Sequence, residues 1–393
     1  MLKSSCQSKL FRPSLISVIE ADPGLSSLTE TPLLLSLLCI QFRHDLVLPR
    51  RKVEIYKRCV EALLRDWDTS RGFRRTSAYE SLSDDHKERL FEHVAGKVLT
   101  EDQSYVISKE RLSSLAAEYI TRFGLSHADA PAVIEEIESH HGIIEQYSME
   151  AFCFSHASIH DYFMAKYALS RRIEMDLLKS HLEDESWAGV IEFMCGIHAE
   201  PEPLFEFMAR KASFANLKNY PAIERRAKLL FLMYRCLAVG PVLEPERASA
   251  IYRRIIDAIA DFSQQMALSG IYAMCTYNGA GVRHPYFAVG SKRPSLHSAM
   301  LPFRKLSNEI LTKPVPGYIS EALAACDALL AKQEFGLTEC STLLNTAIPL
   351  SRSAPDEVLV RLSQLKERFS IGWLSNIVDE STGAIKAKQL TQT

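Results

Sequence analysis

The chain has 393 residues, 47% of them hydrophobic and 24% charged, with a formal net charge of −2. That composition excludes a disordered chain, and the near-neutral balance gives no electrostatic footprint for nucleic acid. No run of about 18 apolar residues occurs to span a membrane, and Ser4, Ser5, Gln7 and Ser8 break up any signal-peptide region after Lys3.

Asp22-Pro23-Gly24 is a turn signal, after which Thr29 or Thr31 can cap a helix opening at Pro32. The segment Pro32 to Phe42 is apolar nearly all round and is expected to be deeply buried. Beyond Pro49 a second helix runs from about Arg51 to Asp68, with Val53, Tyr56, Val60, Leu63, Leu64 and Trp67 on one face. Arg50, Arg51, Lys57, Arg58 and Arg65 form its charged side, read as a solvated face. Ser83 caps a helix through Leu99, Ser108 and Glu110 begin another that Gly124 ends, and Pro131 starts a third. The period then changes to that of strands. Gly142 to Tyr147 and Ala151 to Ser155 read as a hairpin, followed by a helix from about Ser158 to Arg171. Helix, helix, hairpin is the order of a winged helix.

The remainder is helical with polar breaks, and Tyr277 to Leu296, with its glycines and prolines, is the least regular part. No fixed-period repeat occurs. The fold class expected is mainly α: a partial helical domain over 1–70, a winged-helix domain with a short β-hairpin over 80–172, and a C-terminal α-helical domain over 173–390.

Several catalytic patterns are missing. There is no G-x-x-x-x-G-K-[ST] loop to cradle phosphates, no G-x-G-x-x-G after a strand, no G-x-S-x-G elbow and no H-E-x-x-H. The nine cysteines are scattered and never spaced as a metal pair, which fits buried thiols in a reducing cytoplasm. His140-His141 and His156/His160 come nearest to a ligand cluster, but no carboxylate helper accompanies the His156/His160 pair at the spacing of zinc hydrolases, and no metal site is expected. The chain is not expected to be an enzyme by itself.

Two segments together carry a resemblance. One is Leu28-Thr29-Glu30-Thr31-Pro32-Leu33-Leu34-Leu35, with Leu48-Pro49-Arg50-Arg51 and Ile55-Tyr56-Lys57-Arg58 after it. The other is Phe152-Cys153-Phe154-Ser155-His156-Ala157-Ser158-Ile159-His160-Asp161-Tyr162-Phe163-Met164-Ala165. In this order they resemble the "T/N-P-L-L-L", "L-P-x-x-R/K-x-x-L/I-Y" and "F-x-H-x-S-F-x-E-Y-F-x-A" elements of NACHT-type signalling ATPases. The likeness spans about residues 10 to 210, with Trp187 to Gly196 as its continuation. Ile159 and His160 depart from the pattern, standing where the family often has Phe and an acidic residue or glutamine.

The resemblance implies a regulatory portion whose P-loop nucleotide-binding core is supplied by an upstream region or a separate chain. ATP or ADP would be the cofactor of that parent, with none for this chain alone. Carried over, Pro32 would touch the base and His156 would sense the phosphates in the resting state. Pro32 is equally explained as a helix-start proline, and His156 as a core histidine. The chain could be a fragment, a split-gene product or a degenerate paralogue, cytoplasmic, with a protein trigger at its C-terminal helices and a role in bacterial defence by analogy. The alternative is a standalone helical scaffold with a vestigial winged helix. A winged-helix DNA binder is disfavoured, because Glu135, Glu136 and Glu138 on the helix from Pro131 would repel phosphates.

Overall fold

The computed structural model describes residues 15–21, 35–36, 38–39, 42, 49, 51–65, 82–214, 220–268, 271–284, 286–288, 296–369 and 371–391. The chain divides into two compact units, Met1–His198 and Ala199–Thr393.

The first unit opens with α1 (Leu15–Ala21) and α2 (Lys52–Arg65). Pro32 lies outside the described residues, whereas Leu35, Ser36, Leu38, Cys39 and Phe42 are helical. The expectation of deep burial there is corrected: Leu38 is fully buried but Leu35 is 38% exposed. An apolar sequence all round a helix does not decide which side is covered. On α2 the predicted face is buried from Val53 to Leu64, and Ile55 and Cys59 join it. Its basic side is not simply solvated, because Arg51 donates to the Gly196 carbonyl at 3.0 Å and Lys52 pairs with the buried Glu192 at 3.2 Å.

The winged fold follows. Ser83 caps α3 (Asp84–Lys97), accepting from the His86 N–H. A π-helical turn, Val98–Asp102, leads to β1 (Val106–Ser108), and Ser108 caps α4 (Lys109–Ile120). Gly124 adopts φ 78° where that helix ends, and α5 (Ala130–His141) closes on Gly142 at φ 59°. Both glycines occupy left-handed backbone that a Cβ disfavours. The hairpin is β2 (Ile144–Ser148) and β3 (Ala151–Phe154), and β1 adds on the other side in the antiparallel order β1-β3-β2. Ile107 sits opposite Phe152, and Ile144 opposite Phe154, so the apolar residues share the inner face.

After β3 come α6 (Ala157–Arg171), α7 (Glu174–His181) and α8 (Ala188–Ile197). Helix α6 is the spine of this unit and packs against α3 and α8. Phe163 meets Phe91 at 5.4 Å and Phe154 at 5.9 Å. Gly96 permits the close approach of α3, since a Cβ there would stand 2.2 Å from Cγ of Tyr167. Lys166 bridges the same two helices, 2.5 Å from Glu88 and 3.0 Å from Glu92. Burial opposes charge on Lys166 and Glu92 alike; in Lys166 the two carboxylates prevail and hold its ammonium above the usual range.

The second unit is built from α9 (Glu202–Lys211), α10 (Tyr220–Ala238), α11 (Pro245–Leu268), α12 (Leu296–Thr312), α13 (Pro316–Leu330), α14 (Leu337–Ala347), α15 (Pro355–Arg368) and α16 (Gly372–Leu390). Leu229, Leu232, Met233, Cys236 and Leu237 form a buried stripe on α10, Ile251, Ile255, Ile259 and Phe262 one on α11, and Phe262 stacks on Phe303 at 4.0 Å. The irregular stretch and the residues just before it form two small antiparallel ribbons that helical periodicity does not reveal. They pair β4 (Ile271–Ala273) with β7 (Tyr286–Ala288), and β5 (Thr276–Tyr277) with β6 (Val282–Arg283). Strands this short leave backbone groups that side chains must satisfy. Asn345 accepts from the Cys275 N–H at 2.9 Å and donates to the Ala273 carbonyl at 3.0 Å, and Ser381 accepts from the Tyr277 N–H at 3.2 Å.

Candidate functional site

The junction between β3 and α6 places His156. The Ser155 N–H donates to the Ile143 carbonyl at 2.9 Å, fixing the end of the sheet. His156 then takes extended backbone, φ −151° and ψ 141°, as the N-cap of α6. Its carbonyl accepts from the N–H groups of Ile159 and His160 at 3.0 and 3.3 Å. The side-chain cap is normally a Ser, Thr, Asp or Asn oxygen. Here the imidazole does that work, with Nδ1 accepting from the Ser158 N–H at 3.2 Å.

Two further groups complete the arrangement. The Ser158 hydroxyl lies 2.5 Å from Nδ1, and the Tyr56 hydroxyl of α2 donates to Ser158 Oγ at 2.7 Å. Tyr56 is 2% exposed and packs edge-on to Phe193 at 4.7 Å. Burial pushes its phenol well above the ordinary range, so it stays a neutral donor. His156 is half-buried, and its Nε2 has no hydrogen-bond partner among the described residues.

His160 behaves differently from its neighbour. It is fully buried between Tyr105, at 4.7 Å between rings, and Phe154, at 5.0 Å edge to face. The two imidazoles therefore do not share a ligand site: one caps the helix and the other lies in the core. Among the described residues no group of three His, Cys, Asp or Glu is placed to hold a metal ion. The side chains of His140, His141, Glu136 and Glu138 lie outside the described residues, while Glu135 is exposed. Asp161 turns from His156 toward α8, where a Cβ on Gly189 would stand 2.1 Å from its Oδ2. The Tyr105 hydroxyl is within reach of both Asp161 Oδ1, at 3.3 Å, and the Ser186 carbonyl, at 3.2 Å.

The second unit holds a thiol beside an imidazole, with Cys275 Sγ 2.9 Å from His284 Nε2 and Ser307 Oγ 3.2 Å from the same nitrogen. This is not an activated nucleophile. Cys275 is 0% exposed and burial raises its thiol far above the ordinary range, while burial, with Arg304 adding to it, pushes His284 down to about 3. A reactive thiolate needs the opposite setting, electropositive and open to solvent.

Sequence reasoning singles out His156 but takes Tyr56 as a core residue and Ser158 only as the start of a helix. The available signal is the short H-x-S spacing at a strand-to-helix junction, which places a hydroxyl back over a capping side chain. That Tyr56 joins them, 102 positions away from Ser158, is a tertiary fact. Pro32, the other residue assigned to nucleotide contact, is outside the described residues.

No helix among the described residues is long and apolar enough to cross a membrane. No curated protein and no solved structure matches the chain. One family model does, that of the winged helix-turn-helix domain C-terminal to NACHT, over residues 52–168. Its span takes in α2, the three-stranded sheet and all but the last turn of α6, so Tyr56, His156 and Ser158 fall inside it. Residues 52–168 thus form a winged helix-turn-helix domain of the kind that lies C-terminal to NACHT, within a mainly α-helical chain.

Proposed function

We propose that this chain is a regulatory module of a NACHT-type signalling ATPase, holding or releasing a nucleotide-dependent resting state. The observation that carries the reading is the half-buried imidazole of His156 at the N-terminus of a 15-residue helix, with Nε2 unpartnered among the described residues. A helix N-terminus favours an anion through its dipole and its unpaired N–H groups. The anion is a phosphate of ADP, held by a P-loop core that another polypeptide region supplies. Hydrogen bonding to that phosphate latches the winged domain in the resting position. Exchange to ATP weakens the latch and shifts the equilibrium toward an open arrangement. In this reading the module performs no chemistry itself, and defence signalling is the setting in which such a latch is useful.

The test joins the full chain to a NACHT P-loop core, fused or in trans, and measures the rate of ADP release. A hydrogen bond to a charged group contributes about 1.5–3 kcal/mol. His156→Ala is therefore expected to speed ADP release roughly tenfold or more. Release unchanged within twofold, with the fold intact, refutes the latch.

A further inference from the structure

We infer that Ser158 and Tyr56 are positioning residues that lock the His156 imidazole in one tautomer, with its proton on Nε2, so that the free edge of the ring is an obligate donor to an anion. The inference deepens the phosphate-latch reading and rests on it for its purpose, although the geometry behind it stands without any nucleotide.

The argument is an accounting of protons. A backbone N–H can only donate, and that of Ser158 points at Nδ1 of His156 across 3.2 Å. Nδ1 must then offer a lone pair, which leaves the proton of the neutral ring on Nε2. The Ser158 hydroxyl, 2.5 Å from the same nitrogen, has to donate to it as well, because an unprotonated Nδ1 has nothing to give. With its only hydrogen so used, Ser158 Oγ must accept from elsewhere. The Tyr56 hydroxyl does this at 2.7 Å. Tyr56 has no second role that would reverse it: the phenol is buried and held neutral, so it keeps its proton to give. The chain of bonds therefore runs one way, from Tyr56 to Ser158 to Nδ1, and its outcome appears at Nε2.

The opposite tautomer is opposed at Nδ1 itself. A proton there would face the Ser158 N–H head-on and turn the Ser158 hydroxyl hydrogen away from the ring, to a direction with no acceptor among the described residues. The Tyr56 link is compatible with either tautomer, because Ser158 Oγ has two lone pairs, and it favours Nε2–H only by polarising the Ser158 hydroxyl toward Nδ1. An Nε2 lone pair would also repel a phosphate, whereas an Nε2–H attracts one. The two ends of the relay come from α2 and α6, so it is complete only while these helices keep their spacing. Displacing α2 by more than a hydrogen-bond length removes the Tyr56 link and weakens the lock on a ring to which α2 makes no direct hydrogen bond among the described residues.

The test reads the tautomer directly. The full chain is labelled with ¹⁵N-histidine, long-range ¹H–¹⁵N correlations are recorded without nucleotide, and His156 is assigned by its loss in His156→Gln. Wild type is expected to show the Nε2–H form in more than tenfold excess. Ser158→Ala removes one of the two donors at Nδ1 and should cut that excess roughly tenfold, the worth of one hydrogen bond. Ser158→Thr keeps the hydroxyl and should restore it. Tyr56→Phe keeps the ring packing and should lower the excess by well under the Ser158→Ala change, since it removes only the polarisation of the Ser158 hydroxyl. An Nδ1–H ring in wild type, or a ratio that does not move in Ser158→Ala, overturns the inference. If the ratios behave as expected while ADP release from a P-loop core ignores His156→Ala, the tautomer lock stands and only the phosphate reading falls. A role confined to packing would alter stability in these variants and leave the tautomer alone.

Discussion

Replacing Gly96 by alanine tests how tightly α3 and α6 are joined. A methyl group at this position would lie 2.2, 2.4 and 2.5 Å from Cγ, Cδ1 and Cδ2 of Tyr167. Comfortable carbon–carbon separation is about 3.5–4.0 Å, so ring and helix must part by about 1 Å. The ring has little room to yield, being 9% exposed with the Arg171 guanidinium 5.2 Å from its centroid. Overpacking costs about 1–3 kcal/mol, and three simultaneous clashes put this case at the upper end. Alanine returns about 1 kcal/mol through its better helix propensity. The expected net loss is about 2 kcal/mol, or roughly a thirtyfold rise in local opening. Amide hydrogen exchange in α3 and α6 is the suitable assay, because two compact units make a single global unfolding free energy ill-defined. In a Tyr167→Ala background the clash is gone, and the same Gly96→Ala change should now increase protection about fivefold. A neutral effect in the wild-type background, or an equal loss in both backgrounds, refutes the close-packing account.

The Lys166 triad should respond strongly to loss of its cation: Lys166→Met leaves Glu88 and Glu92 facing each other with Glu92 only 8% exposed, and protection in α3 and α6 should fall by about 3 kcal/mol. A loss under about 1 kcal/mol would mean that the carboxylates find water instead. Acid should weaken the second unit through His284, whose folded form is held neutral down to about 3 by burial and the nearby Arg304. Below about pH 6.5 the unfolded state binds a proton that the folded state refuses, so stability falls with pH by up to about 1.4 kcal/mol per unit until the folded pKa is approached. Comparing urea midpoints at pH 7.5, 6 and 5 for wild type and His284→Gln checks this, since parallel curves would show that His284 is not the group responsible. His93 is shifted in the same downward direction by burial, against the opposing pull of Glu118, so acid acts on the first unit in the same sense.

Local chemistry was the most legible part of this protein. Ser83, Ser108 and Gly124 mark helix ends by properties each residue carries alone, and all three do so as expected, whereas Gly142, read as the first residue of a strand, instead closes α5. The hairpin was visible because strand alternation between Phe152 and Phe154 breaks the helical period. What escaped depends on distant pairing. Strand β1 is three residues long and exists because Ile107 finds Phe152 across the sheet. The ribbons of the second unit are two or three residues each, held partly by Asn345 and Ser381 from helices far along the chain. His156 could be named from a motif, but the hydroxyls that orient it could not, because Tyr56 reaches Ser158 only after two helices pack. The basic side of α2 was misjudged for a similar reason: periodicity separates polar from apolar, yet cannot say that Arg51 ends on a carbonyl of α8.

The contact at Gly96 has a mechanical consequence. Helix α6 rises about 1.5 Å per residue, so its capping imidazole and Tyr167 stand about 16 Å apart along one rod. At the far end the ring rests on bare backbone, with no side chain between them to flex. A displacement of the histidine end would therefore bear on α3 directly through this contact, as it would through Phe163 and Lys166 nearer the cap.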